Sequence, residues 1–385
     1  MMKTASRLDT VQEYYFSKKL REVRALSAQG KPIINMGIGS PDLQPPPAVI
    51  EAIQQAVLQE GAHKYQSYQG LPAFRQAVAD FYQKNYQVVV NPENEILPLM
   101  GSKEGILHIS MAFLNKGDQV LIPNPGYPTY TSAVKLAGGT PLYYELTAEN
   151  NWAPDFENLE KTDLSKVKLM WVNYPHMPTG QMPTKALFEK LVAFGKQHQI
   201  LICHDNPYAF TLNDQPESLL SIEGAKEVVI ELNSLSKSQN MAGWRVGMLI
   251  AAEERVNEIL RFKSNMDSGM FLPVQLAAAK ALSLDKSWYD SVNQVYTERR
   301  EKVYELLDTL GCAYSKQQVG MFVWAKIPAT YKDGYALSDK VLYDANVFIT
   351  PGGIFGSAGN NYIRVSLCGS MEKFNEAIKR VKACV

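Results

Sequence analysis

The sequence predicts an α/β fold: a mainly parallel sheet layered with helices, joined to a smaller α+β unit. Three observations carry this. Short apolar runs that suit buried strands alternate with helical stretches from about residue 96 to residue 250. After about residue 282 that texture gives way to one long helical run and several short strand–helix units. No apolar run approaches the roughly 20 residues of a membrane helix. A chain of 385 residues that is 46% hydrophobic and 20% charged can therefore bury a sizeable core of its own.

Taken in order, residues 12–28 read as a polar helix and residues 32–36 as a short strand, followed by the turn Gly37-Ile38-Gly39-Ser40-Pro41-Asp42. A helix opens at Pro46-Pro47, where a missing N–H leaves nothing unbonded, and runs to about residue 58. Strands are expected at 96–100, 119–122, 140–144, 168–172, 200–204, 228–232 and 246–250. Between them lie helices such as 184–198, where Leu187, Leu191 and Phe194 share one face. The second unit comprises a helix at 287–310 closed by Gly311, strands at 321–327, 347–350 and 362–367, a helix near 335–346, and a last helix from residue 371.

Composition excludes several functions. Lys+Arg and Asp+Glu are both 39, a balance that argues against nucleic-acid or membrane-surface partners. Cys203, Cys312, Cys368 and Cys384 are scattered, and the histidines share no ligand spacing, so neither a disulfide framework nor a metal site is expected. The first 20 residues lack the apolar core of a signal peptide, which leaves the cytoplasm as the expected location.

The chemistry concentrates at strand ends, where open α/β sheets hold ligands. Lys237 lies in Ser234-Leu235-Ser236-Lys237, with Gly243-Trp244-Arg245-Val246-Gly247 just beyond, between two apolar runs. That setting suits an amine that attacks a carbonyl, with hydroxyls and a guanidinium near to hold a phosphate; a loop lysine and surface arginine are the plain alternative. Met100-Gly101-Ser102-Lys103 leads from a strand into a helix whose first N–H groups favour a phosphate, unless Gly-Ser merely caps it. Asn124-Pro125-Gly126-Tyr127 presents a ring on a rigid turn, for stacking or for packing. Asp205, in His204-Asp205-Asn206-Pro207-Tyr208, is a carboxylate at a buried strand end that needs a partner, unless it only shapes a turn. Arg364, in Tyr362-Ile363-Arg364-Val365-Ser366, has a planar fork that matches a carboxylate; an edge-strand arginine is the ordinary alternative.

Together and in this order, these segments resemble the class I and II aminotransferases, fold-type I enzymes that use pyridoxal 5'-phosphate (PLP). The resemblance runs from Gly37 to Arg364. It implies a large domain, residues 46–282, with a mostly parallel seven-stranded sheet between helices. A small domain is implied from both chain ends, residues 283–385 with part of the N-terminal arm at 1–45. It implies that Lys237 holds PLP covalently and moves the substrate Cα proton, that Asp205 keeps the pyridine nitrogen protonated, that Tyr208 bonds the phenolate oxygen, and that Tyr127 covers a ring face. Gly101, Ser102, Lys103, Ser234, Ser236 and Arg245 fall to the phosphate. Arg364 grips the substrate carboxylate, helped by the backbone at Gly39. Tyr65, and with it Ser268, is implied to reach the neighbouring subunit's cofactor, making a homodimer with shared sites.

One departure stands out. Asn173-Tyr174-Pro175-His176-Met177-Pro178-Thr179-Gly180 belongs to the cofactor site, with Asn173 a contact, but Met177 stands where the family has asparagine. A thioether donates no hydrogen bond, so the nitrogen linking Lys237 to PLP is expected to become more basic. Whether His176 substitutes is open. The implied activity moves an amino group between an L-amino acid and a 2-oxo acid by a ping-pong sequence. Residues 263–271 resemble those of aspartate-like and diaminopimelate aminotransferases, which points to an acidic or dicarboxylic substrate. A PLP-dependent carbon–sulfur β-lyase shares all these motifs, and a non-catalytic PLP-binding protein is a third reading, favoured by Met177 alone.

Overall fold

The computed structural model describes residues 2–11, 13 and 15–384. The expected first helix is α1 (Tyr15–Ala28); Gln12 and Tyr14 of its expected span lie outside the described residues. β1 (Ile34–Asn35), α2 (Pro47–Ala56) and α3 (Pro72–Tyr86) follow. Both of these last helices begin on proline, whose ring presets a helical φ at a position where the N–H has no intrahelical partner. Then comes the expected alternation of β2 (Ile96–Leu99), α4 (Ser102–Phe113), β3 (Gln119–Asn124), α5 (Pro128–Leu136), β4 (Thr140–Glu145), α6 (Phe156–Glu160), β5 (Val167–Val172) and α7 (Lys185–His198). β6 (Leu201–Asp205), β7 (Val229–Ser234) and β8 (Gly247–Ile250) complete it.

These strands form one seven-stranded sheet in the order β2-β8-β7-β6-β5-β3-β4. β8 runs antiparallel to both its neighbours and every other pair is parallel. The carboxyl ends of β2, β7, β6, β5 and β3 therefore share one edge, and the start of β8 joins them there. Along that edge the chain delivers Gly101, Arg245, Ser234, Asp205, Asn173 and Asn124, in sheet order. Alternate strand residues feed two apolar layers. Met170, Val172 and Ile202 pack with Val78 and Tyr82 of α3 and Leu191 of α7. Leu169, Trp171 and Ile230 pack with Ile106 and Ile109 of α4 and Val134 of α5. Strands buried on both faces are why they read as continuous apolar runs.

The remainder begins with α8 (Glu253–Lys263), α9 (Leu272–Leu282) and α10 (Lys286–Thr309), the last closed by Gly311 at a φ of 68°. Next come β9 (Ala313–Tyr314), β10 (Phe322–Lys326), α11 (Gly334–Ala345), β11 (Val347–Phe348), β12 (Thr350–Pro351), β13 (Tyr362–Ser366) and α12 (Met371–Lys382). An antiparallel sheet, β12-β13-β10-β9, packs its apolar residues Val323, Ile363 and Val365 with Val303 and Leu307 of α10 and Phe374 of α12. The single strand expected at 347–350 is two. Val347 and Phe348 pair with Ile34 and Asn35 of β1, whereas Thr350 pairs with Arg364, so the run changes sheets at Ile349. Among the described residues, no helix is long and apolar enough to cross a membrane.

Candidate active site

The shared edge of the large sheet opens into a cavity of about 1180 Å³, closed on its far side by Phe322, Phe355 and Arg364. Lys237 projects into it from the loop after β7. Its Nζ donates to the Gly39 carbonyl at 2.5 Å and stands 5.8 Å from the centre of the Tyr208 ring. Burial away from water disfavours the ammonium and pushes it down to about 8, the guanidinium charges of Arg364 and Arg245 adding to the effect against the pull of Cys368 and Asp205.

Asp205, the last residue of β6, is 5% exposed. Its Oδ2 accepts from the Tyr130 hydroxyl at 2.9 Å, while Oδ1 is buried with no hydrogen-bond partner among the described residues. Burial pushes the carboxyl up to about 6, opposed by the Tyr130 bond and by the charges of His204 and Lys237. Tyr208 stands beside it, its phenol raised well above the ordinary range by burial.

At one end of the cavity, polar donors gather around the first turn of α4. Ser102 and Lys103 open that helix and line the cavity with Ser234, Ser236 and Arg245. Ser234 Oγ donates to Ser236 Oγ at 2.9 Å, and Arg245 is anchored through bonds to the carbonyl oxygens of Ala242 at 2.9 Å and Met100 at 3.3 Å. Gly101 does not line the cavity but makes this packing possible. Its φ is 89°, and a Cβ there would sit 2.1 Å from Arg245 Nη2. Burial and the neighbouring Arg245 charge both lower the Lys103 ammonium.

At the other end, Arg364 is 5% exposed and makes no ion pair among the described residues. Its guanidinium lies 3.8 Å from the centre of the Phe322 ring and 4.7 Å from that of Phe355. It donates to the Gly37 carbonyl at 3.0 Å and to the Met177 sulfur at 3.4 Å. A desolvated cation held by rings, a carbonyl and a thioether is a receptor for an anion.

The family model for class I and II aminotransferases matches residues 31–381. The chain belongs to this family. An LL-diaminopimelate aminotransferase from Aquifex aeolicus is 38% identical over 384 residues, 99% of each chain. Substrate-bound BacF from Bacillus subtilis superposes with a TM-score of 0.95 at 36% identity, over 100% of this chain and 98% of the other. An aspartate aminotransferase mutant from Thermus thermophilus shares the fold, with a TM-score of 0.93 at 24% identity over the full length of both. This aminotransferase is thus a PLP-dependent enzyme of fold type I, and its cavity fits that cofactor. The unpartnered Asp205 Oδ1 suits a protonated pyridine nitrogen, and the α4 N-terminus with its serines and Arg245 suits a phosphate.

Of the residues expected from sequence, the aminotransferase brings Lys237, Asp205, Tyr208, Ser102, Lys103, Tyr127, Asn173, Met177, Ser234, Ser236, Arg245, Gly39 and Arg364 to one cavity. Tyr65 is 90% exposed and Ser268 is exposed as well, away from it. The two lie on neighbouring segments, since a Cβ on Gly269 would meet the Gln66 carbonyl oxygen at 2.6 Å. His176 does not reach the cavity. It is buried, pairs with Thr179 Oγ1 at 2.8 Å, and is pushed down to about 3 by desolvation, so its ring is neutral. Nor is the Asn173 side chain free to replace the missing amide at 177. Its Nδ2 donates to the Asp205 carbonyl at 2.5 Å and its Oδ1 accepts the Met177 N–H at 2.7 Å.

Sequence reasoning misses Phe322, Phe355 and the N-terminal residues Tyr15, Phe16 and Leu20 that wall the cavity, and Tyr130, which does not line it but bonds Asp205. The available signal was weak: an aromatic pair, Tyr15-Phe16, opening an otherwise polar helix.

Proposed function

We propose that this aminotransferase takes an acidic or dicarboxylic amino acid as one substrate and works as a homodimer in the cytoplasm. The observation that carries the substrate geometry is Arg364, a buried guanidinium without an anionic partner among the described residues, in the same cavity as the Lys237 amine. Bound PLP supplies an electron-withdrawing ring that stabilises negative charge at the substrate Cα. Arg364 orients the substrate by its α-carboxylate, and the Lys237 amine takes the Cα proton and gives it back on the other side of the transfer. With PLP bound, Asp205 would hold the proton on the ring nitrogen, Tyr208 would bond the phenolate oxygen and Tyr127 would cover a ring face, while Ser102, Lys103, Ser234, Ser236 and Arg245 would hold the phosphate, Gly101 giving Arg245 the room to approach. Tyr65 and Ser268 serve the partner's site. The same reading divides the chain into a large domain at 46–282 and a small domain at 283–385, completed by the arm at 1–45. The names of its LL-diaminopimelate relatives support a dicarboxylic substrate.

The test is an absorbance spectrum of the PLP-loaded protein with single amino acids and no acceptor. Conversion to the pyridoxamine form with dicarboxylic amino acids alone supports the reading. Conversion with aromatic or small aliphatic amino acids instead removes the substrate class, and pyruvate and ammonia released while the band persists would mean a β-lyase.

A further inference from the structure

Behind Asp205, on the other face of the sheet, lies a cluster of polar groups for which the amino transfer has no use. His204 and Glu231 are register partners on β6 and β7, both wholly buried. His204 Nδ1 lies 2.8 Å from Glu231 Oε2, and Nε2 lies 2.9 Å from the Tyr174 carbonyl oxygen. Glu231 also accepts from the Tyr82 hydroxyl at 2.8 Å, from the Ser218 hydroxyl at 2.9 Å and from the Leu219 N–H at 3.0 Å.

These contacts decide the protonation of both groups. A carbonyl oxygen only accepts, so Nε2 carries a hydrogen. Glu231 already takes the Tyr82, Ser218 and Leu219 donors as an acceptor, so the bond to Nδ1 is made by a ring hydrogen. The flanking phenols, Tyr82 and Tyr86 of α3, stay neutral because burial pushes both well above their ordinary range. His204 is therefore an imidazolium paired with a carboxylate inside the protein.

Its placement ties the pair to the active site. The Nε2 bond fastens β6 to Tyr174, the residue after Asn173, and the Asn173 amide bonds back to the Asp205 carbonyl at 2.5 Å. Asp205, His204, Tyr174 and Asn173 thus form a ring of two peptide links and two hydrogen bonds across the ends of β5 and β6. Neither end can slide without breaking both bonds. The imidazolium charge also favours the ionised form of Asp205.

We infer that the buried His204–Glu231 ion pair is a positioning unit, which fixes Asp205 and Asn173 against the cofactor and keeps the Asp205 carboxylate charged. The inference rests on the assignment of Asp205 to the PLP ring nitrogen. Two measurements test it. Nitrogen-15 NMR of the histidine rings in the folded protein, with His204 identified by its loss in His204→Gln, should show both its nitrogens protonated. A neutral His204 ring overturns the ion pair.

The second measurement is the pH titration of the cofactor band in the PLP-loaded Glu231→Gln variant, which keeps the shape of the side chain and removes its charge. Loss of the imidazolium weakens the hold on the ring proton and makes the Lys237–cofactor nitrogen more basic. The midpoint should rise by about half a pH unit or more. An unchanged midpoint, with or without a fall in melting temperature, reduces the pair to packing and overturns the positioning role. A wild-type protein with no cofactor band overturns that role through the assignment of Asp205, while the NMR result still decides the ion pair by itself.

Discussion

Raising the pH should switch on the Lys237 amine well before an ordinary lysine. Its ammonium is pushed from the usual 10.5 down to about 8 because it is buried, with two guanidinium groups among the charges around it. At pH ~7.5 about a quarter of the Lys237 side chains are then neutral, against about one in a thousand for a solvated lysine, a gain of more than ~200-fold in nucleophile. The assay is the rate at which PLP-free protein captures added PLP, followed by absorbance across pH. The rate should climb through a half-maximum near pH 8 and level off by about pH 9. A second readout follows from linkage. Between about 8 and 10.5 the unfolded chain binds a proton at Lys237 that the folded chain does not, so the PLP-free protein should gain stability as pH rises through that window, by about 3 kcal/mol at most. A capture rate that keeps climbing beyond pH ~10, as a solvated lysine would give, refutes the argument from desolvation.

Three further outcomes follow. Arg364→Lys keeps a charge but loses the planar fork, and kcat/KM for a carboxylate substrate should fall by about 10- to 100-fold, about 1.5–3 kcal/mol, with PLP affinity unchanged. Gly101→Ala places a Cβ 2.1 Å from Arg245 Nη2 at a φ of 89°, so PLP should dissociate about tenfold more readily or worse, about 1.4 kcal/mol, as measured by dialysis and band loss. Met177→Asn restores an amide donor beside the phenolate oxygen, and the midpoint of the cofactor band titration should fall; an unchanged titration shows that residue 177 does not tune the linkage.

Much of the site was legible because β3, β5, β6 and β7 run parallel and end at one edge. Once their apolar runs are marked in the sequence, the polar residue at each carboxyl end becomes a candidate, as with Asp205 and Ser234. Arg364 stood out for a related reason, a charge inside an apolar alternation. The residues around it did not. Phe322 and Phe355 read as core, and nothing local in a phenylalanine says that its ring faces a guanidinium. Tyr130 sits one helical turn past Tyr127 and looks like packing until Asp205 is brought to 2.9 Å from its hydroxyl. α9 shows the limit of periodicity: Pro273, Ala277, Ala278, Ala281 and Leu282 are all buried, and a run apolar on most sides has no stripe to detect. The split of residues 347–350 between two sheets was hidden for another reason, since three apolar residues and a threonine in a row do not say which neighbour each one bonds.

The pairing of β1 with β11 joins residues 34 and 35 to residues 347 and 348. A ribosome emits the first of these long before the second. The seven-stranded sheet, whose last strand ends at Ile250, can assemble while synthesis continues, but the segment that carries Gly39 meets β11 and Arg364 only once those residues have emerged. Lys237 therefore leaves the ribosome well before Arg364, one of the charges that help lower its ammonium in the finished fold.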